Sequence, residues 1–232
     1  MPRVDRRWQA LAVHRPHAIM VSGTDLTGAP VHVVATGYAA RCLSHELDHR
    51  DGVPGLRAPG AADTHELAIR AVLGQQVSVA AGQKLGNALV TACGRPLPVP
   101  DDGLTHVFPG VGVLAGASLA EPNMPDSRRA SVRIVAVALA EGTVCLDAGA
   151  DRDEGEKTLL DLRGISTWTA GYIRMRALDD PDVLLTGDVA VQAGMWYAGA
   201  DPDDAEGWRP WRTYAMHHFW STAADRHQTP AA

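Results

Sequence analysis

The chain has 232 residues, 46% hydrophobic and 21% charged, the balance of an ordinary globular protein long enough to bury a sizeable core. Its formal net charge of -6 speaks against wholesale electrostatic adhesion to nucleic acid, so any DNA binding must come from a local surface. Cys42, Cys93 and Cys145 have no paired spacing, which argues against a disulfide framework or a cysteine zinc module. There is no signal peptide and no apolar run long enough to span a membrane, and a reducing cytoplasm is the expected location.

In chain order, "HAIMVSG" and "PVHVVAT" predict two strands joined by the turn-forming "TDLTGA". Residues 38–51 predict one helix, and the Pro/Gly-dense stretch 52–63 a boundary. Beyond it the character turns helical. Residues 64–93 place Leu67, Val72, Val79, Leu85 and Leu89 at helical spacing, with Gly74 a candidate break between two helices. Further helices are predicted over 126–141, 152–162, 167–178, 188–197 and 204–222, the first closed by Gly142. The expected architecture is mainly α, a compact bundle behind a small N-terminal α/β appendage of hairpin plus helix.

The most informative stretch is "LDLRGISTWTAGYIRMRALDDPDVLLTGDVAV" (160–191): a helix, a tight turn, a second helix, then an aspartate. Ser166 or Thr167 can cap the second helix. Gly164 permits a turn closed to other residues. Such a turn presents backbone N–H groups beside a helix N-terminus, where a phosphate can sit without any lysine. Asp188 falls 20 positions after Trp168, at the start of the next helix.

These residues resemble the helix-hairpin-helix glycosylases with a Gly/Pro-rich loop and a catalytic aspartate (HhH-GPD), of the AlkA-type 3-methyladenine DNA glycosylase II kind. Three more segments are similar in the same order: "AIRAVLGQQVSVAAGQKLGNALV", "MPDSRRASVRIVAVALAEG" and "WRPWRTYAMHHFW". The resemblance covers roughly 54–224 and implies a glycosylase bundle there, with residues 225–232 as a disordered tail. It departs from the family at Arg163 and Ser166, where the hairpin usually carries proline and a second glycine. Ser166 is strained if that position needs a positive φ. The AlkA-type N-terminal β domain has no counterpart.

What the resemblance implies is hydrolysis of the N-glycosidic bond of alkylated purines, chiefly 3-methyladenine, on a nucleotide flipped out of duplex DNA. Asp188 is then the catalytic carboxylate, facing the oxocarbenium-like charge on the sugar; as a bare residue it could equally be a helix cap. Trp168 stands where related bifunctional enzymes carry a Schiff-base lysine, which implies a monofunctional enzyme, with the indole either lining the base pocket or buried in the core. Gln76 takes the wedge position that fills the vacated gap. Gln75 and Ser78 either touch the strands or cap the next helix. Arg163, Gly164, Ser166, Thr167 and Thr169 are the expected hairpin contacts to DNA. Arg128, Arg129 and Arg133 form a solvated face or add phosphate contacts, and Trp208, Trp211, Tyr214 and Trp220 are expected to pack. The implied partner is double-stranded DNA with alkylated bases, with no cofactor and no obligate protein partner.

"GTDLTGAPVHVVATGYAARCLSHELDHRDG" (23–52) resembles the C-terminal half of peptide deformylase. Carried over, His45 and His49 are metal ligands on one helix face and Glu46 the general acid/base. The third ligand of that family, a cysteine in an upstream Glu-Gly-Cys-Leu-Ser motif, has no match. Residues 1–53 therefore read as a truncated deformylase-like segment whose metal site is a remnant. Two alternatives to the glycosylase stay open: a deformylase-type metallohydrolase, and a non-catalytic hairpin that binds DNA.

Overall fold

A computed structural model describes residues 18–24, 30–36, 58–101, 104–120 and 123–228. Strands β1 (Ala18–Thr24) and β2 (Pro30–Thr36) pair antiparallel, with Ala18 opposite Thr36 and Thr24 opposite Pro30, as the sequence predicts. The helix expected over 38–51, and with it His45, Glu46 and His49, lies outside the described residues.

The helical body begins with α1 (Thr64–Leu73) and α2 (Val79–Cys93). Asp63 starts α1 by accepting the Glu66 N–H at 2.9 Å, and Gly74 ends it. Ser78 caps α2. Next come β3 (Arg95–Asp101), β4 (Leu104–Val107), α3 (Val111–Gly116) and α4 (Asp126–Ala140). Helix α5 (Arg152–Leu160), capped by Asp151, leads through the tight turn into α6 (Thr167–Ala177). Helix α7 (Val189–Ala198), a 3-10 turn (Pro202–Trp208) and α8 (Arg212–Gln228) complete it. Among the described residues no helix is long and apolar enough to cross a membrane.

Two apolar clusters form, one on each side of α6. The first gathers Ile69, Val72 and Leu73 of α1, Leu89 of α2, Val132 and Val135 of α4, Leu159 of α5 and Ile173 of α6. The second gathers Met175 of α6, Val183 and Leu185 of the loop after it, Val191 and Met195 of α7, and Met216 and Phe219 of α8. Helix α7 lies hard against α8: a Cβ at Gly194 would collide with the Phe219 backbone, so this position tolerates no side chain. Tyr172 packs against both clusters.

Several expectations are corrected. Val79 sits on helical spacing but is 80% exposed, because the loop at 74–78 resets the phase between α1 and α2. The β3–β4 pair and α3 were not foreseen: Pro96, Pro98 and Pro100 cannot donate to a ladder and hide the strand pattern. Pro210 follows the 3-10 turn, so Trp208 does not share a helix with Trp211 and Tyr214. The last helix, expected over 204–222, runs from Arg212 to Gln228 and so enters the stretch 225–232 expected to be a disordered tail.

Candidate active site

The segment between α6 and α7 is pinned over residues 180–183 and apolar after that. Asp180, 4% exposed, accepts from Arg174 Nε at 2.5 Å and from the Asp182 N–H at 2.8 Å. Arg174 also reaches Glu156 at 2.8 Å and Asp153 at 2.7 Å. Burial disfavours its charge, but the hydrogen bonds to Asp180 and Glu156 win and raise its pKa above the ordinary guanidinium range. Asp182 is clamped by Arg212 and Arg209, each at 2.7 Å. Buried Thr213 accepts the Val183 N–H at 2.9 Å and donates to Asp180 O at 2.8 Å. These bonds fix the first half of the loop to α6 and α8.

It emerges at Asp188, the N-cap of α7. Oδ1 accepts the N–H groups of Ala190 and Val191, both at 2.9 Å. The indole N–H of Trp220 also donates to Oδ1, and that of Trp168 donates to Oδ2, each at 3.0 Å. One carboxylate, half-buried, is thus held from α6, α7 and α8 at a helix N-terminus, where negative charge is favoured. Trp168 stacks on Tyr172 with centroids 5.1 Å apart and planes 7° apart, and the Arg176 guanidinium lies 5.9 Å from the Tyr172 centroid. His217 meets Trp220 edge-on at 5.1 Å. Burial, with the charges of Arg176 and His218, lowers the His217 pKa to about 4, so this ring is neutral at pH 7.

The turn beside this carboxylate is closed by the Ile165 N–H on Leu162 O at 3.2 Å. Gly164 adopts φ +91, and a Cβ there would collide with the Ser131 hydroxyl, so the position requires glycine twice over. Ser166 takes φ -89 and caps α6, so serine at this point carries no left-handed strain. Arg163, Gly164, Ser166 and Thr167 are exposed around the helix N-terminus. A cleft of about 400 Å³ is lined by Gly164 and Ser166 of this turn, by Gln75 and Gln76, and by Arg128, Ser131 and Trp168.

The structure brings Asp188 and Trp168 into contact and places Gln76, Gly164, Ser166 and Trp168 around one cleft, with Arg163 and Thr167 exposed on the turn next to Gly164 and Ser166. Thr169, expected to touch DNA, lies behind the same cleft wall and is 0% exposed. The side chain of Gln75 turns inward to Gly164 O and Thr169 Oγ1, and Ser78 serves as a helix cap. Arg129 pairs with Asp126, and Arg133 donates to Ala117 O at 2.7 Å, so each has a structural partner. Trp220, read as packing, does pack against the second cluster and in addition donates its indole N–H to Asp188. Its bond spans 32 positions, and no local pattern signals it.

Comparison with known proteins agrees with this geometry. The chain is 37% identical over 175 residues to the probable bifunctional transcriptional activator/DNA repair enzyme AlkA of Mycobacterium tuberculosis, covering 73% of this chain and 35% of that protein. It is 37% identical over 177 residues to the DNA-3-methyladenine glycosylase 2 of Escherichia coli, covering 73% of this chain and 61% of that one. The chain thus spans between a third and three fifths of the length of these relatives. Its fold matches the Schizosaccharomyces pombe 3-methyladenine DNA glycosylase solved with abasic DNA, with a TM-score of 0.57 and 19% identity over 79% of this chain and 90% of that one. The polypeptide deformylase family model matches residues 7–57.

Proposed function

From a helical body homologous to the AlkA-type 3-methyladenine DNA glycosylases, with the helix-hairpin-helix glycosylase fold, we propose that the chain is a monofunctional DNA glycosylase. It hydrolyses the N-glycosidic bond of alkylated purines, chiefly 3-methyladenine, in base-excision repair. The observation that carries this reading is the Asp188 carboxylate, gripped by the Trp220 indole and by that of Trp168, which follows the turn and lines its cleft.

The exposed turn at 163–167 holds a strand phosphate through backbone N–H groups. The damaged nucleotide leaves the stack, and Gln76 enters the gap. As the C1′–N bond breaks, positive charge grows on the sugar, and the fixed Asp188 carboxylate stabilises it. Water then adds to C1′, and its proton passes to solvent. An alkylated purine is already cationic and departs neutral; the faces of Trp168 and Tyr172 suit such a cation. No lysine stands in the place of Trp168, so no Schiff base forms and no strand cleavage follows. Residues 54–224 form the catalytic unit, the substrate is alkylated duplex DNA, and the cytoplasm is the matching location.

The test is release of free bases from methylated duplex DNA by the full chain, resolved by chromatography. 3-Methyladenine among the products, with the strand left intact, supports the reading. Duplex binding indifferent to alkylation, with no base released, contradicts it and favours a binding module.

The deformylase match motivates one second reading, confined to the N-terminal segment. Its ligand candidates His45, Glu46 and His49 lie outside the described residues. Bound metal in protein purified without added zinc, together with turnover of a formyl peptide, would establish it.

A further inference from the structure

The loop between α1 and α2 and the turn between α5 and α6 are joined by a single side chain. Gln75 Nε2 donates to Gly164 O at 3.2 Å and to Thr169 Oγ1 at 2.8 Å, across 89 and 94 residues of sequence. Thr169 Oγ1 lies 3.0 Å from Ser166 Oγ, the atom that caps α6. From the other side, Arg128 Nη2 donates to Gln75 O at 2.5 Å. Residue 75 is therefore tied to α4, to the turn and to α6. Both of its amide hydrogens are engaged inside the protein, which leaves them none to offer DNA.

The next residue, Gln76, is exposed and has φ +54. A residue other than glycine holds that conformation only where its surroundings enforce it. The three ties on Gln75 are that enforcement.

We propose that Gln75 is a positioning residue that fixes Gln76 at a set distance from the phosphate-gripping turn. Gripping the backbone and filling the gap then happen in one register, without a separate search by the loop. This rests on the glycosylase reading above and adds to it a role for Gln75 and Thr169 within the protein.

Thr169 makes the test clean, because a fully buried residue cannot touch DNA. Thr169→Val removes the oxygen that accepts from Gln75 and keeps the shape of the side chain. The probe is a duplex containing one alkylated purine with 2-aminopurine beside it, which brightens when the stack opens. Wild-type protein should brighten it. Thr169→Val should do so about tenfold more slowly, the size of one neutral hydrogen bond with its donor stranded. Its DNA affinity should hold, since the exposed turn is untouched. In a Gln76→Ala background the same change should add nothing.

Gln75→Ala, at a half-buried position, gives a second route to the same readouts if Thr169→Val folds poorly. Wild-type brightening rates in both variants, or losses that multiply with Gln76→Ala, overturn the proposal while leaving the glycosylase reading intact. Failure of wild-type protein to release any base from methylated DNA overturns both.

Discussion

The two clusters flanking α6 are held together by different physics. The first is almost wholly aliphatic; the buried polar residues next to it are Ser131, bonded within its own helix to Ser127 O, and Thr169, which accepts from Gln75 94 positions away. The second is reached by directional bonds: Arg174 to Asp180, Arg212 to Asp182, Thr213 to the loop backbone, and two indoles to Asp188. Apolar burial is non-directional and fixes a shape within the tolerance of packing. A carboxylate that must meet a charge developing on one atom needs its direction fixed, and hydrogen bonds supply that. The lobe that presents the DNA-facing turn and wedge is therefore greasy apart from the ties on Gln75, and the lobe that presents the reacting group is directional throughout its loop.

Breaking the first lobe should lower stability and leave the chemistry of the folded fraction alone. Leu89→Ala, at a fully buried site, should cost about 3 kcal/mol in denaturant unfolding with the single-turnover rate unchanged. Breaking the second should couple the two quantities. Arg212→Ala leaves Asp182 with Arg209 alone; we expect a loss of about 2 kcal/mol and a slower rate, because the loop to Asp188 loosens. Sharper still, Trp220→Phe keeps a ring but removes the N–H on Asp188 Oδ1. It should lower the single-turnover rate about tenfold, with KM nearly constant.

The smallest effect is one of pH. Burial holds the His217 pKa near 4, below its unfolded value of about 6.5. Between those values the unfolded chain binds the extra proton, so stability is full above pH 6.5 and declines as pH falls toward 4. His217→Phe should flatten the dependence of Tm on pH in that window.

The sequence made legible whatever is local. Gly164 and Ser166 in the turn, Asp188 at the helix start and the break at Gly74 follow from backbone preferences within a few residues. The hidden features are of two kinds. Pro96, Pro98 and Pro100 erased the strand signature of β3, and Pro210 moved the start of the last helix. Trp220 and Gln75 took their roles from partners 32 and 89 or more positions away, and the same residue types at the same spacing could as readily pack or face solvent. The apolar pattern also misplaced Val79, because helical phase does not survive a loop.

One variant tests the central claim most directly. Asp188→Asn keeps the oxygen that caps α7 and accepts from Trp220, and removes the charge together with the second oxygen, which accepts from Trp168. Measured as single-turnover base release on methylated duplex, it should be slower by roughly a thousandfold, with Tm and DNA affinity close to wild type. Release within a few fold of wild type would show that the carboxylate is a helix cap and that the bond is broken elsewhere.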